Sequence, residues 1–314
     1  MDKSSRILVL GHRGLVGGAI ERQLAKHGYE QVRSAGRAYV WEFDAARTAM
    51  RDVEYVFCAA GTGGGIKKNL ESSWRLSLDT MHILGSVLPA ALDRGVRRLI
   101  WFACACIYPV LDRPATEQDL WGGPLEPTSR AFAAATLAGI ELTRAYNAQH
   151  GTEFLALCPP TLYGPGDTFS EDGHVLAAMI RKCHEAKVAG APEVTFWGSG
   201  HQRRQFLYVE DLARAAVEIM QSSAFAEWGP LLNVAGHPAR RLDDVAESVA
   251  DVVGYTGRIR WDTTKPEGAP RKEITGGWAL PGLPTMLRDG VKRTYEWYQA
   301  NLPGAGKTAE QARL

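Results

Sequence analysis

Arg6-Ile7-Leu8-Val9-Leu10-Gly11-His12-Arg13-Gly14-Leu15-Val16-Gly17 is the stretch on which the fold turns. Ile7 to Leu10 are continuously apolar, the pattern of a short strand buried on both faces. Glycines follow at once, and residues 18–27 then read as a helix. Glycines in such a turn let the backbone approach a pyrophosphate, whose charge sits at the helix N-terminus. The GxxGxxG spacing alone would also suit a packing turn; its strand-turn-helix context favours dinucleotide binding.

Working outward, further strands are predicted at 30–34, 54–60, 98–103 and 153–158. Helical stretches at 45–51, 78–94 and 130–150 separate them. Strands alternating with helices predict an α/β fold, a doubly wound parallel Rossmann sheet whose ligand loops share one edge. After Pro159-Pro160 and Gly164-Pro165-Gly166 the pattern breaks up, with helices expected at 174–187, 209–221 and 242–253 and a strand at 193–197. We therefore expect a nucleotide-binding domain over 1–165 and a smaller C-terminal α/β substrate domain over 166–314, with about 205–240 returning to the first. The tail after Pro303 reads as frayed.

Composition limits the functional classes. Of 314 residues, 45% are apolar and 23% charged, as in a globular protein. Thirty-six Lys and Arg against 35 Asp and Glu leave a net charge of +1, no global field to recruit nucleic acid or an anionic membrane. No apolar run reaches the roughly 18 residues of a membrane span, and residues 1–6 lead into the first strand without a signal-peptide pattern. The odd set Cys58, Cys104, Cys106, Cys158 and Cys183 suggests neither a disulfide framework nor a zinc site. The expectation is a cytoplasmic protein with reduced thiols and no metal; His184, His201 and His237 form no ligand spacing.

The second strand ends in Val32-Arg33-Ser34-Ala35-Gly36-Arg37, without the acid that reads ribose hydroxyls in NAD sites. Arg13 and Arg37 are suited instead to a 2′-phosphate, which a guanidinium matches with two hydrogen bonds. NADP is the expected cofactor.

Several segments together match one family: Gly11 to Gly17, Cys106-Ile107-Tyr108-Pro109, Leu125-Glu126-Pro127-Thr128, Leu162-Tyr163-Gly164-Pro165, Trp197-Gly198-Ser199-Gly200 and Lys265 to Lys272. In order and spacing, from about residue 6 to 300, the chain resembles the GDP-L-fucose synthase family of extended short-chain dehydrogenase/reductases. That family epimerises a GDP-4-keto-6-deoxy sugar at C3 and C5 and then reduces C4 with NADPH. The resemblance assigns Gly11, Arg13, Gly14, Leu15, Val16, Gly17, Arg37, Ala59 and Ala60 to the cofactor. It assigns Lys182, Trp197, Arg204 and Lys272 to the nucleotide sugar, with Arg203 an alternative to Arg204. It also implies a homodimer built on helices 78–94 and 130–150.

The chain departs from this family where the reduction is done. The family's Ser falls on Cys104, its Tyr on Phe132 and its Lys on Thr136. Phe132 has no proton to give and Thr136 no charge to tune a neighbour. Loss of a positioned general acid typically costs ~10²–10⁴ in rate. The family's epimerising pair falls on Cys106 and His174, and is kept. Taken singly, a cysteine is a small buried hydrophobe and a histidine at a helix start a surface group. At these positions a thiol and an imidazole can exchange the protons that a neighbouring ketone acidifies. The expected activity is therefore an epimerase without C4 reduction, NADP being structural or vestigial. The alternatives are a residual NADPH-dependent 4-keto reductase and a non-catalytic nucleotide-sugar-binding protein.

Overall fold

A computed structural model describes residues 1–171, 173–278 and 284–302. The frayed tail expected after Pro303 lies outside them. The first half comprises β1 (Ile7–Leu10), α1 (Leu15–Lys26), β2 (Val32–Ala35), α2 (Phe43–Ala49), β3 (Tyr55–Cys58), α3 (Ile66–Asp93), β4 (Arg98–Phe102), α4 (Arg130–His150) and β5 (Glu153–Cys158). The second comprises β6 (Thr161–Tyr163), α5 (Val175–Val188), β7 (Glu193–Trp197), β8 (Arg203–Arg204), β9 (Phe206–Tyr208), α6 (Val209–Gln221), β10 (Leu231–Asn233), β11 (Arg240–Arg241), α7 (Leu242–Val253), β12 (Arg258–Asp262), β13 (Arg271–Lys272) and α8 (Leu287–Ala300).

Six parallel strands form the central sheet, in the order β10-β5-β4-β3-β1-β2. Alternation along each strand fills two cores. Ile7 and Val9 pack with Ile20, Leu24 and the apolar face of α6; Leu8 and Leu10 pack with Val56, Leu99 and residues of α3 and α4. Gly139 lets α4 close on this second face, where any Cβ would collide with Leu84 and Trp101. Trp101 Nε1 there donates to Thr143 Oγ1 at 3.0 Å, so the buried indole is paired.

The late chain supplies β10 to this sheet and lays α6 against α1, although both follow β6 to β9 in sequence. A third core, built from α5, α7, α8 and the strands between them, gathers Leu176, Met179, Ile180, Val245, Val249 and Val291.

Two helices differ from the sequence expectation. Helix α3 begins twelve residues before the expected 78, at Ile66, and kinks at Ser72 (φ −136°, ψ 28°). Its first turns carry Lys67, Lys68, Glu71, Ser72 and Ser73, which give no apolar period. Asn69 holds them instead, donating through Nδ2 to Gly64 O and Gly65 O at 3.1 Å each. Helix α8 went unpredicted because its exposed face is a run of charge, Arg288, Asp289, Lys292 and Arg293 among them.

Candidate active site

The C-terminal ends of the parallel strands carry the functional loops. Gly11 follows β1 with φ +81°, a left-handed conformation, and a Cβ there would lie 2.5 Å from Ala60 N. At Gly17 a Cβ would strike Gly11 O, so this glycine is needed for helix-strand contact. At Gly14 it would meet only Gly11 O at 3.4 Å, which leaves that side of the turn open. Gly14 caps α1 without any side-chain hydrogen bond, so the first amides of a twelve-residue helix point outward. Leu15 and Val16 anchor the turn in the core below, and Ala59 donates to Leu10 O at 2.9 Å to fix its other wall.

Arg37 stands just past β2, its guanidinium 2.6 Å from the buried carboxylate of Asp79 and 4.8 Å over the Trp41 ring. Thr62 Oγ1 donates to the same Asp79 oxygen at 2.8 Å, which ties the Gly61–Gly65 loop to α3. Arg13 is exposed at the glycine turn. These residues fit a dinucleotide with a phosphorylated ribose. The fit ends at the reacting half: Phe132 has no hydroxyl, and Thr136 is buried with its Oγ1 donating to Phe132 O at 2.9 Å.

Cys104 and Cys106 lie after β4, flanking Ala105 in a short helical turn, Ala105–Ile107. Their Cα atoms are 5.4 Å apart and their sulfurs are joined as a disulfide. This corrects the expectation of reduced thiols throughout. The turn at Ala105 brings their Cα atoms within bridging distance. Cys58, Cys158 and Cys183 are free and buried. Burial pushes the Cys58 and Cys183 thiols up to about 12 and raises that of Cys158 further.

A cavity of about 260 Å³ opens between the sheet edge and the C-terminal elements. His174 lines it, as do all four expected sugar-binding residues, Lys182, Trp197, Arg204 and Lys272. Cys106 is only 7% exposed and is not among the lining residues. The turn that carries it borders a much smaller pocket, which shares Glu126, Ala269 and Lys272 with the large one.

His174 caps α5, and its Nδ1 lies 3.0 Å from Asp167 Oδ1. The Asp167 side chain is 2% exposed and also accepts from Thr168 N at 2.8 Å. Burial disfavours the imidazolium, but the hydrogen bond and charge of Asp167 outweigh it, and the His174 pKa is raised. Nε2 points toward Gly63, where an added Cβ would sit 3.6 Å away.

The far wall is cationic. Among the described lining residues five are Lys or Arg and three are Glu, so the cavity favours an anion. Of the Arg203-Arg204 pair, Arg204 turns inward, 9% exposed, donating to Glu267 O at 3.1 Å; Arg203 bonds Ala239 O outside it. Burial lowers the Arg204 pKa to about 10, and burial with the Arg204 charge lowers that of Lys272 to about 8. Lys182 Nζ donates to Thr195 O at 3.1 Å, and Lys265 lies 5.8 Å over the Trp197 ring.

Glu126 and Asp167 were not singled out by sequence reasoning. Glu126 is 5% exposed, and burial alone would raise its pKa. Thr128 Oγ1 at 2.6 Å, Thr128 N at 2.9 Å and Ser129 Oγ at 3.0 Å overcome that and hold it ionised opposite Lys272. Its place inside the quoted Leu125 to Thr128 segment was the available signal. Asp167 had none, since it reaches His174 across an irregular loop.

Residues 7–235 match the model of the NAD dependent epimerase/dehydratase family. The chain is 39% identical over 324 residues to the probable GDP-L-fucose synthase 1 of Oryza sativa subsp. japonica, covering 98% of this chain and 95% of that protein. Among solved structures it resembles a GDP-6-OMe-4-keto-L-xylo-heptose reductase from C. jejuni, with TM-score 0.85 and 25% identity over 96% of this chain and 99% of that one. A GDP-mannoheptose C4 reductase from Campylobacter jejuni with NADP bound gives TM-score 0.83 and 27% identity, over 95% and 99% of the two chains.

Proposed function

From its membership of the NAD dependent epimerase/dehydratase family, and within it of the GDP-L-fucose synthase family, we propose that this chain is a GDP-sugar enzyme that epimerises without reducing. Its substrate is a GDP-4-keto-6-deoxy-hexose or a related GDP-4-keto-heptose, inverted at C3, C5 or both. The single observation that carries this reading is His174, paired to buried Asp167 on a cation-walled cavity, in a chain that has Phe132 and Thr136 in place of a proton donor and its lysine.

Arg204, Lys272 and Lys182 supply charge for the diphosphate, and Trp197 supplies a face for the base or ribose. Protons on C3 and C5 are acidic because the carbanion delocalises into the C4 ketone. Cys106, as a reduced thiolate, removes such a proton from one face of the ring. His174, whose imidazolium is favoured by Asp167, returns one from the opposite face. Thr128 and Ser129 line the cavity but give their hydroxyl protons to Glu126, so other backbone amides are the donors left for the enolate oxygen.

The Gly11 to Gly17 turn, with Arg13, Arg37, Ala59 and Ala60, would hold NADP, which when bound brings a nicotinamide capable of accepting or giving a hydride. Phe132 can neither protonate nor deprotonate a C4 oxygen, and buried Thr136 cannot tune a neighbour. A second copy of the chain is expected to cover α3, where Trp74 and Met81 are 64% and 51% exposed. No described helix is long and apolar enough to cross a membrane.

The test is NMR of the 4-keto sugar with the dithiothreitol-reduced protein in D₂O, without NADPH. Deuterium enters C3 or C5 with wild type and is lost with Cys106→Ser and His174→Asn. No exchange, or exchange indifferent to both substitutions, overturns the assignment. The bonded state of Cys106 favours a second, non-catalytic reading, in which GDP-sugar raises Tm without exchange. NADPH consumption followed at 340 nm would instead reveal a surviving reductase.

A further inference from the structure

We propose that Cys104 and Cys106 form a reversible thiol oxidation site that switches the epimerase off. This rests on the reading of Cys106 as the proton-transferring thiol. The two sulfurs meet across a one-residue turn, with Cα atoms 5.4 Å apart, a separation that a disulfide spans. Cys104 is half-buried and Cys106 is 7% exposed, so an external oxidant meets Cys104 first. The other three cysteines are at most 2% exposed and have no sulfur partner. The pair is therefore isolated from competing thiols.

The oxidant is a small disulfide. Cys104 thiolate attacks one of its sulfurs, forming a mixed disulfide and releasing one small thiolate. Cys106 thiolate then attacks the Cys104 sulfur, closing the intramolecular bond and releasing the second. Two protein thiols have lost two electrons and two protons, and one small disulfide has become two thiols. A dithiol reverses both steps. In the bonded state the Cys106 sulfur carries no proton and no negative charge, so it can neither take a proton from C3 or C5 nor give one back. Replacing the hydroxyl of the family's Ser by the Cys104 thiol thus does more than remove a reductase group: it places an intramolecular trap beside the base.

Wild type and Cys104→Ser are reduced, then incubated with glutathione disulfide, and each is compared with its own untreated sample. Intact mass and peptide mapping report the linkage; deuterium exchange reports activity. The wild-type peptide containing both cysteines should lose two hydrogens. Its exchange rate should fall at least ~10²-fold, the scale of a lost acid/base group, and recover in dithiothreitol. Cys104→Ser should form no linkage and keep most of its own exchange rate. Wild-type cysteines that remain alkylatable after treatment overturn the switch while leaving the epimerase assignment standing. A linked pair with undiminished exchange overturns both the switch and the role of Cys106. Equal inactivation of Cys104→Ser overturns the requirement for the pair. Absence of exchange in fully reduced wild type overturns the epimerase assignment and the switch with it, whatever the masses show.

Discussion

His174 Nδ1 and Asp167 Oδ1 are 3.0 Å apart, and the second Asp167 oxygen is buried with no hydrogen-bond partner among the described residues. The carboxylate is thus committed to the imidazole and to the Thr168 amide. A raised histidine pKa means that the imidazolium is present below that value and lost as pH rises through it. The stability contributed by the pair follows the same course, complete below the unfolded value and lost through the folded one. Asp167→Asn should move the alkaline limb of the kcat/KM profile for exchange to lower pH, because the hydrogen bond and charge that favour the imidazolium are removed, and should lower the rate at neutrality. An unmoved limb would show that His174 does not act as the acid.

Lys272, lowered to about 8 by burial and by Arg204, sets a second pH dependence. A diphosphate beside it favours the charged form, so binding near that pH takes up a proton. GDP affinity measured by calorimetry should be steady below this pH and weaken as pH rises through it. Lys272→Met should flatten the dependence and weaken binding about ten- to hundredfold, the roughly 1.5–3 kcal/mol of a lost charge-assisted hydrogen bond.

The reductase loss is local enough to reverse. Phe132 and Thr136 are one helical turn apart on α4, with Thr136 Oγ1 bonded back to Phe132 O. The double substitution Phe132→Tyr, Thr136→Lys should raise NADPH consumption with a 4-keto sugar at least ~10²-fold above wild type. Absorbance at 340 nm reports it, and a rate equal to wild type would mean that more than these two groups is missing.

Gly11 combines φ +81° with a close approach to Ala60. Gly11→Ala should destabilise the fold by about 1–3 kcal/mol and abolish the rise in Tm on adding NADP. Normal NADP stabilisation of this variant would place the pyrophosphate elsewhere.

On α3, Leu70, Trp74, Leu78 and Met81 are the exposed apolar residues, at the spacing of one helix face. Trp74→Arg with Met81→Glu should convert a dimer to a monomer in sedimentation velocity. A wild type that sediments as a monomer would refute the shared face.

The central elements were legible because they bury continuous apolar runs or long periodic faces. Helix α4 spans the expected 130–150, and α6 the expected 209–221. Elements held by polar contacts were not: the first turns of α3 depend on Asn69, and β10 is only Leu231-Leu232-Asn233. The same distinction runs through the site. Gly11 could be named from the spacing of its motif, and Arg204, Lys272 and His174 because the family resemblance implies them. Asp167 and Glu126 act through hydrogen bonds made within loops and turns, and the disulfide of Cys104 depends on a turn whose geometry no periodicity encodes.

The late arrival of β10 dictates an order of assembly. During synthesis β5 must wait with one flank unpaired until residue 233 has left the ribosome, although everything needed to bind a dinucleotide has been made long before. A fragment that stops near residue 165 would therefore carry the glycine turn on a sheet with an open seam, prone to recruit the strand of a neighbour in place of its own.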